Sequence, residues 1–152
     1  MPAPVCDLND MDSNNDARIR LIVVDDNDVG RSQSVARLRK HPQLEVVGDA
    51  GDCREAAQLT RSTHPDIVLV EIRRVDKRGI DVVAELSSLD LGNRPAIVAY
   101  LEILHRGEWP DARAAGADDV VLKEMPAEGV ARELRRIVQR VRRDAPIRYL
   151  GN

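Results

Sequence analysis

The sequence predicts an α/β domain in which five strands alternate with five helices to build a doubly wound, five-stranded parallel sheet of order 2-1-3-4-5. Three observations carry this expectation. Short apolar runs recur at 19–24, 44–47, 67–70, 96–100 and 120–122, each followed by a segment with helical spacing. The runs are apolar at nearly every position, as strands covered by helices on both faces must be. No internal repeat is present, so successive strands are joined by right-handed crossovers through the helices.

Composition bounds the rest. A chain of 152 residues that is 43% hydrophobic and 32% charged has room for one domain with a real core. Phe is absent, and the aromatic residues are Trp109, Tyr100 and Tyr149, so the core is aliphatic and no stacking platform for single-stranded nucleic acid exists. The net charge of -3 is too mild to favour nucleic acid or a membrane surface. Cys6 and Cys53 lie far apart in sequence and suggest neither a disulfide nor a metal framework. The longest apolar runs, Leu21 to Val24 and Ile67 to Val70, fall well short of a membrane span, and the N-terminus lacks a signal pattern. The expected setting is the cytoplasm.

Residues 1–17 carry Pro2, Pro4, four Asp and three Asn and read as a disordered acidic leader. The domain spans 18–143, and 144–152 is a short tail. Strand one, Ile19 to Val24, runs into Asp25-Asp26-Asn27. Asp28 is placed to cap a helix from Val29 to Lys40 that buries Val35 and Leu38 and stops at His41-Pro42. Strand two is Leu44 to Val47, with Gly48 to Gly51 as the turn after it. Asp52 with Glu55 three residues on is a capping-box pattern, and Ala56 and Leu59 mark the inner side of a helix reaching about Thr63. Strand three follows as Ile67 to Val70, with Glu71 at its carboxyl end. After the loop 73–78, Gly79 opens a helix with Ile80, Val83 and Leu86 inward. A turn at 91–95 leads to strand four, Ala96 to Tyr100. Gly107 and Pro110 allow only a short helix before Gly116, starting near Trp109 or Pro110. Strand five is Val120 to Leu122, and the last helix, Ala127 to Arg143, carries Val130, Leu134, Ile137, Val138 and Val141 at helical spacing.

Ligands in open α/β sheets bind outside the carboxyl ends of the strands. With strands 1, 3 and 5 taken as neighbours, those ends bring Asp25, Asp26, Glu71 and Lys123 into one pocket. Two or three carboxylates beside a lysine suit a hard divalent ion such as Mg²⁺ and the handling of a phosphoryl group. Helix capping by the acidic pair, with Lys123 neutralising it, is the bland explanation of either feature taken alone.

The combination of these residues resembles the receiver domain of two-component response regulators, a CheY-like branch of the flavodoxin-like folds, over roughly Arg18 to Arg143. Asp25-Asp26 matches the family's acidic pair, Gly79 the glycine opening the third helix, Gly116-Ala117-Asp118-Asp119 the turn before strand five, and Lys123 its lysine. His64-Pro65-Asp66-Ile67-Val68-Leu69-Val70 matches the lead into the phosphoacceptor. Glu71 stands where the family has that Asp, and no Asp lies between Ile67 and Val75. The resemblance also implies a Ser or Thr at Tyr100 and an aromatic residue at Val120, and both are missing. Val75, Arg78 and Glu124 depart from the family's loop residues as well.

One added methylene moves the Glu71 carboxylate by about 1.5 Å along the side chain, and displacement of that size can cost in-line transfer roughly 100-fold. The expected function is therefore that of an atypical receiver in two-component phosphorelay signalling, working as a phosphorylation-independent protein-interaction module. Glu71 then acts as a permanent negative charge reaching toward Lys123, with Mg²⁺ on Asp25, Asp26 and Glu71 possible but not required. The alternative is a receiver still phosphorylated by a histidine kinase, on Glu71 or on Asp76. A flavodoxin-like enzyme or nucleotide-binding domain is a third class, against which stands the lack of any Gly-rich phosphate-binding motif. His41, His64 and His105 suit surface or capping roles rather than catalysis.

Between Ala127 and Arg143 the arginines Arg132, Arg135, Arg136, Arg140, Arg142 and Arg143 face only Glu128 and Glu133. A solvated helix face accounts for them. The sharper reading, implied by the resemblance, is a docking surface for a histidine kinase, a downstream effector or a second copy of the chain. Direct DNA reading is not expected, because the apolar stripe of this helix must face the sheet and no helix-turn-helix pattern follows it.

Overall fold

The structure, a computed structural model, describes residues 17–73, 78–90, 94–102 and 107–144. But for Ala17 and Asp144, the expected leader and tail lie outside the described residues, as do Val75, Asp76 and His105. Five strands, β1 (Ile19–Val24), β2 (Leu44–Ala50), β3 (Ile67–Glu71), β4 (Ala96–Leu101) and β5 (Asp119–Leu122), pair in parallel in the order β2-β1-β3-β4-β5. The expected doubly wound sheet is therefore present, with one correction. Strands 1, 3 and 5 are not all neighbours, since β4 lies between β3 and β5.

Alternation along each strand sends its side chains to two separate apolar layers. Leu21, Val23, Leu69, Val98, Tyr100 and Val121 pack with helices α1 (Asp28–Arg39) and α5 (Ala127–Asp144), through Val35, Leu38, Leu134 and Ile137. Ile22, Val24, Val68, Val70, Ile97 and Ala99 pack on the other face with α2 (Cys53–Thr63), α3 (Ile80–Ser88) and α4 (Glu108–Ala115). All four apolar positions of β3 are essentially inaccessible, which is why its sequence shows no polar alternation.

The helix ends follow their capping chemistry. Asp52 accepts the Glu55 N–H at 2.8 Å, while the Glu55 carboxylate reaches back to the Gly51 N–H at 3.0 Å. At α1 the cap is Asn27, not Asp28: the Asn27 side chain accepts the Gly30 N–H at 2.8 Å, and Asp28 is the first helical residue. Asp28 instead pairs with Arg31. Asn27→Ala is expected to lower stability by about 1 kcal/mol, against a few tenths for Asp28→Ala, in urea unfolding. His64 ends α2 in the left-handed region at φ 50°, with its N–H on the Thr60 carbonyl at 3.0 Å, which bears out a capping role for it.

β2 runs three residues past its expected end. Its pairing with β1 shifts between Leu21 and Ile22, so that Leu21 faces Val46 while Ile22 faces Gly48. This bulge carries the ladder through Gly48 and Asp49 to Ala50, residues whose composition reads as a turn.

Candidate functional site

The four residues expected to form the pocket sit at the carboxyl edge of the sheet. Asp25 extends the parity of Leu21 and Val23, and its N–H bonds the Ala50 carbonyl at 3.0 Å, so the ladder holds it past the end of β1. Glu71 shares the parity of Ile67 and Leu69 on the same face. Its cross-strand partner on β4 is Tyr100. Lys123 leaves β5 with its N–H on the Leu101 carbonyl at 2.7 Å.

Lys123 Nζ donates to Glu71 Oε1, and it also lies 5.6 Å from the centre of the Tyr100 ring. Tyr100 itself is 1% exposed and packs in the layer beneath α1 and α5. The ring therefore points inward and bridges the gap that β4 opens between Glu71 and Lys123. Val120 has the opposite parity and is half-buried against the layer of α2, α3 and α4.

The acidic pair is divided in its environment. Asp25 is 4% exposed. Its Oδ1 accepts the Asn27 N–H at 2.9 Å, while its enclosed Oδ2 has no hydrogen-bond partner among the described residues. Asp26 is half-exposed and faces two guanidiniums, Arg78 at 2.9 Å and Arg73 at 3.4 Å. The Glu71 carboxyl is pushed up to about 7, first by burial and then by the Asp25 carboxyl beside it, against the lowering effect of Lys123. A proton on the Glu71 carboxyl would give the enclosed Asp25 oxygen a hydrogen-bond partner. Burial and the neighbouring carboxyl therefore act against the permanent charge expected at Glu71, and Lys123 acts for it.

Three further arginines bear on the site. Arg37 of α1 donates to the carbonyls of Lys123 and Met125, at 2.6 Å to the first, and so fixes the turn that carries the lysine. Arg73 and Arg78 are brought together by a backbone bond from the Arg73 N–H to the Arg78 carbonyl at 2.9 Å. The departure of Arg78 from the loop pattern was the available signal for the second pair.

As a cation cage the pocket does not fit. Asp26 is engaged by two arginines and Glu71 by Lys123. Among the described residues no group of three or more His, Cys, Asp or Glu side chains is gathered closely enough to hold a metal ion.

On α5 most of the arginines are exposed, and several form ion pairs. Arg140 pairs with Asp119 at 2.9 Å and donates to the Asp118 carbonyl at 2.8 Å, and Arg136 pairs with Glu133 at 2.8 Å. Arg142 pairs with Asp66 at 2.7 Å. Arg135 is half-buried, its Nη2 enclosed without a hydrogen-bond partner among the described residues, and Arg132 is exposed.

Residues 21–135 match the family described as the response regulator receiver domain. The chain belongs to that family. Among curated relatives of this receiver is the protein-glutamate methylesterase/protein-glutamine glutaminase 1 of Caulobacter vibrioides, 36% identical over 129 residues that cover 83% of this chain and 36% of that protein. The DNA-binding transcriptional activator DevR/DosR of Mycobacterium tuberculosis is 29% identical, over 77% of this chain and 53% of that protein. The receiver thus spans about a third to a half of the length of these relatives. Among solved structures, the signal receiver domain of NarL from Mycobacterium tuberculosis superposes with a TM-score of 0.66 at 23% identity, covering 81% of this chain and 98% of that one. The response regulator domain of CheB from Thermotoga maritima does so at 0.55 and 23%, covering 81% and 95%. Both likenesses are in fold. No helix of the described residues is long and apolar enough to cross a membrane.

Proposed function

We propose that this receiver domain is an atypical one, serving two-component signalling in the cytoplasm as a phosphorylation-independent protein-interaction module, without catalysis of its own. The observation that carries the reading is the engagement of Lys123 by Glu71 and the Tyr100 ring. A cation already bound to a side-chain carboxyl and lying against a buried ring is not available to a phosphoryl oxygen. No hydroxyl of Ser or Thr stands at the position of Tyr100 to follow such a group. The methylesterase, glutaminase and DNA-binding names belong to relatives longer than this chain, and those activities are not assigned to these residues.

The partner is a histidine kinase, a downstream effector or a second copy of the chain. Arg132, with the outer parts of Arg135, Arg136 and Arg140, is the proposed contact surface. The functional test is incubation with acetyl phosphate and Mg²⁺ followed by intact mass. No stoichiometric gain of a phosphoryl group is expected, and such a gain on Glu71 or Asp76 would overturn the proposal in favour of a working phosphorelay receiver. Glu71→Asp removes the methylene but leaves Tyr100 and the loop, so labelling of this variant would assign the block to side-chain length alone, and continued silence would assign it to Tyr100 and the loop residues.

A further inference from the structure

We infer that Arg73 and Arg78 act as a built-in counter-ion for the acidic pair, standing in for a divalent cation. The inference goes beyond the proposed function and does not depend on the outcome of phosphoryl labelling. It starts from the disagreement between an acidic edge that suits a hard cation and a geometry that does not gather one.

Three carboxyl groups lie at the carboxyl ends of β1 and β3, and the concentration of negative charge must be offset by positive charge or by protons. Each has an internal solution. Lys123 faces Glu71, and Asp25 lies beside the Glu71 carboxyl. Asp26, the outermost, is held from both sides, with Arg78 Nη1 at 2.9 Å from Oδ2 and Arg73 Nη2 at 3.4 Å from Oδ1. Both oxygens that would ligate an ion therefore already face a guanidinium.

The backbone makes this pairing a feature of the fold. The Arg73 N–H bonds the Arg78 carbonyl, so the two residues are held side by side. Gly79 follows at φ 103°, where an added Cβ would overlap the Glu71 carbonyl oxygen and lie 3.1 Å from its carbon. That close approach holds Gly79, and Arg78 before it, against the end of β3, within reach of Asp26. A guanidinium is always charged and offers several donors, so the neutralisation persists at every pH at which the domain is folded.

The pairs are half-exposed, and exposed pairs are individually weak. Binding of Mg²⁺ by one or two carboxylates is weak too, so the competition is close enough for the arginines to decide it. Removing both is expected to tighten apparent divalent-cation affinity by about tenfold.

The test is titration of Mn²⁺ into the full chain, following the free-ion electron paramagnetic resonance signal, with Mg²⁺ competition. The wild type is expected to leave the signal of the free ion nearly undiminished. The Arg73→Ala/Arg78→Ala variant is expected to deplete it, and Asp26→Asn in that background to restore it. Wild-type binding equal to that of the double variant would overturn the inference, as would a double variant that binds no better than wild type. An Arg54→Ala/Arg61→Ala variant on α2 controls for net charge, and equal tightening there would also overturn it.

Discussion

Replacing Gly79 by alanine is expected to destabilise the domain by about 3 kcal/mol, lowering the melting temperature by roughly 10 °C. Two separate costs combine. The backbone at φ 103° lies in a region that L residues avoid, and the new Cβ would run into the Glu71 carbonyl group and lie 3.2 Å from Ile72 Cα. Neither neighbour is the flexible end of a side chain. Both belong to the end of β3, whose preceding residues form the centre of the two apolar layers, so the clash cannot be relieved by a local swing. Gly107→Ala is the matched control. Gly107 sits at φ -68° before α4, and a Cβ there meets nothing within 4 Å, so this change should be neutral or slightly stabilising. Urea unfolding of the two variants decides the matter: a midpoint for Gly79→Ala close to that of Gly107→Ala would show that the turn over Glu71 shifts at little cost.

The contrast between these glycines illustrates what the sequence made legible. Gly79 could be placed from its pattern, because a glycine just after a strand–loop unit and just before Ile80, Val83 and Leu86 marks a helix entry. That it is needed for the approach of the chain to Glu71 is a tertiary fact with no local signature. The strands were legible for a related reason. Residues such as Val68 and Leu69 are buried on opposite faces, and burial on both sides leaves an unbroken apolar run. β2 was cut short because Gly48-Asp49 has turn composition, while the bulge opposite Leu21 and Ile22 that keeps them in the ladder depends on a partner strand. The cap of α1 was expected at Asp28, a capping residue type like Asn27 beside it, and only backbone geometry selects Asn27. At the site, residue types and strand ends placed Asp25, Asp26, Glu71 and Lys123 at one edge. The charge state of Glu71 and the arginines on Asp26 were not legible, because burial and ion pairing arise between residues that are distant in sequence. The basic helix is the plainest case: an excess of arginine reads as a solvated face, and its ion pairs with distant Asp119 and Asp66 through Arg140 and Arg142 have no local signature.

The second large effect concerns the sign of the Glu71 interaction. Glu71→Gln is expected to match wild type near pH 5 and to exceed it near pH 8, by on the order of 2 kcal/mol. A carboxyl raised from 4.5 to about 7 holds its proton in the folded state where the unfolded chain has lost it. Its favourable contribution is therefore complete below about pH 4.5 and disappears as the pH rises through about 7. Glutamine imitates the protonated group and has nothing to lose over that range. Measuring both proteins in urea across this pH interval, with chelator present, cancels the titration of every acid that does not interact with Glu71. The contact with Lys123 taken alone argues the other way, since a simple ion pair would make wild type the more stable protein at pH 8 and the variant the weaker. Burial and the neighbouring Asp25 carboxyl decide between the two, and Asp25→Asn tests the second cause by moving the midpoint of the Glu71 effect toward acid. If Glu71→Gln loses stability relative to wild type as the pH rises, Glu71 is a conventional charged partner of Lys123, and the proton shared between Asp25 and Glu71 is not part of this pocket.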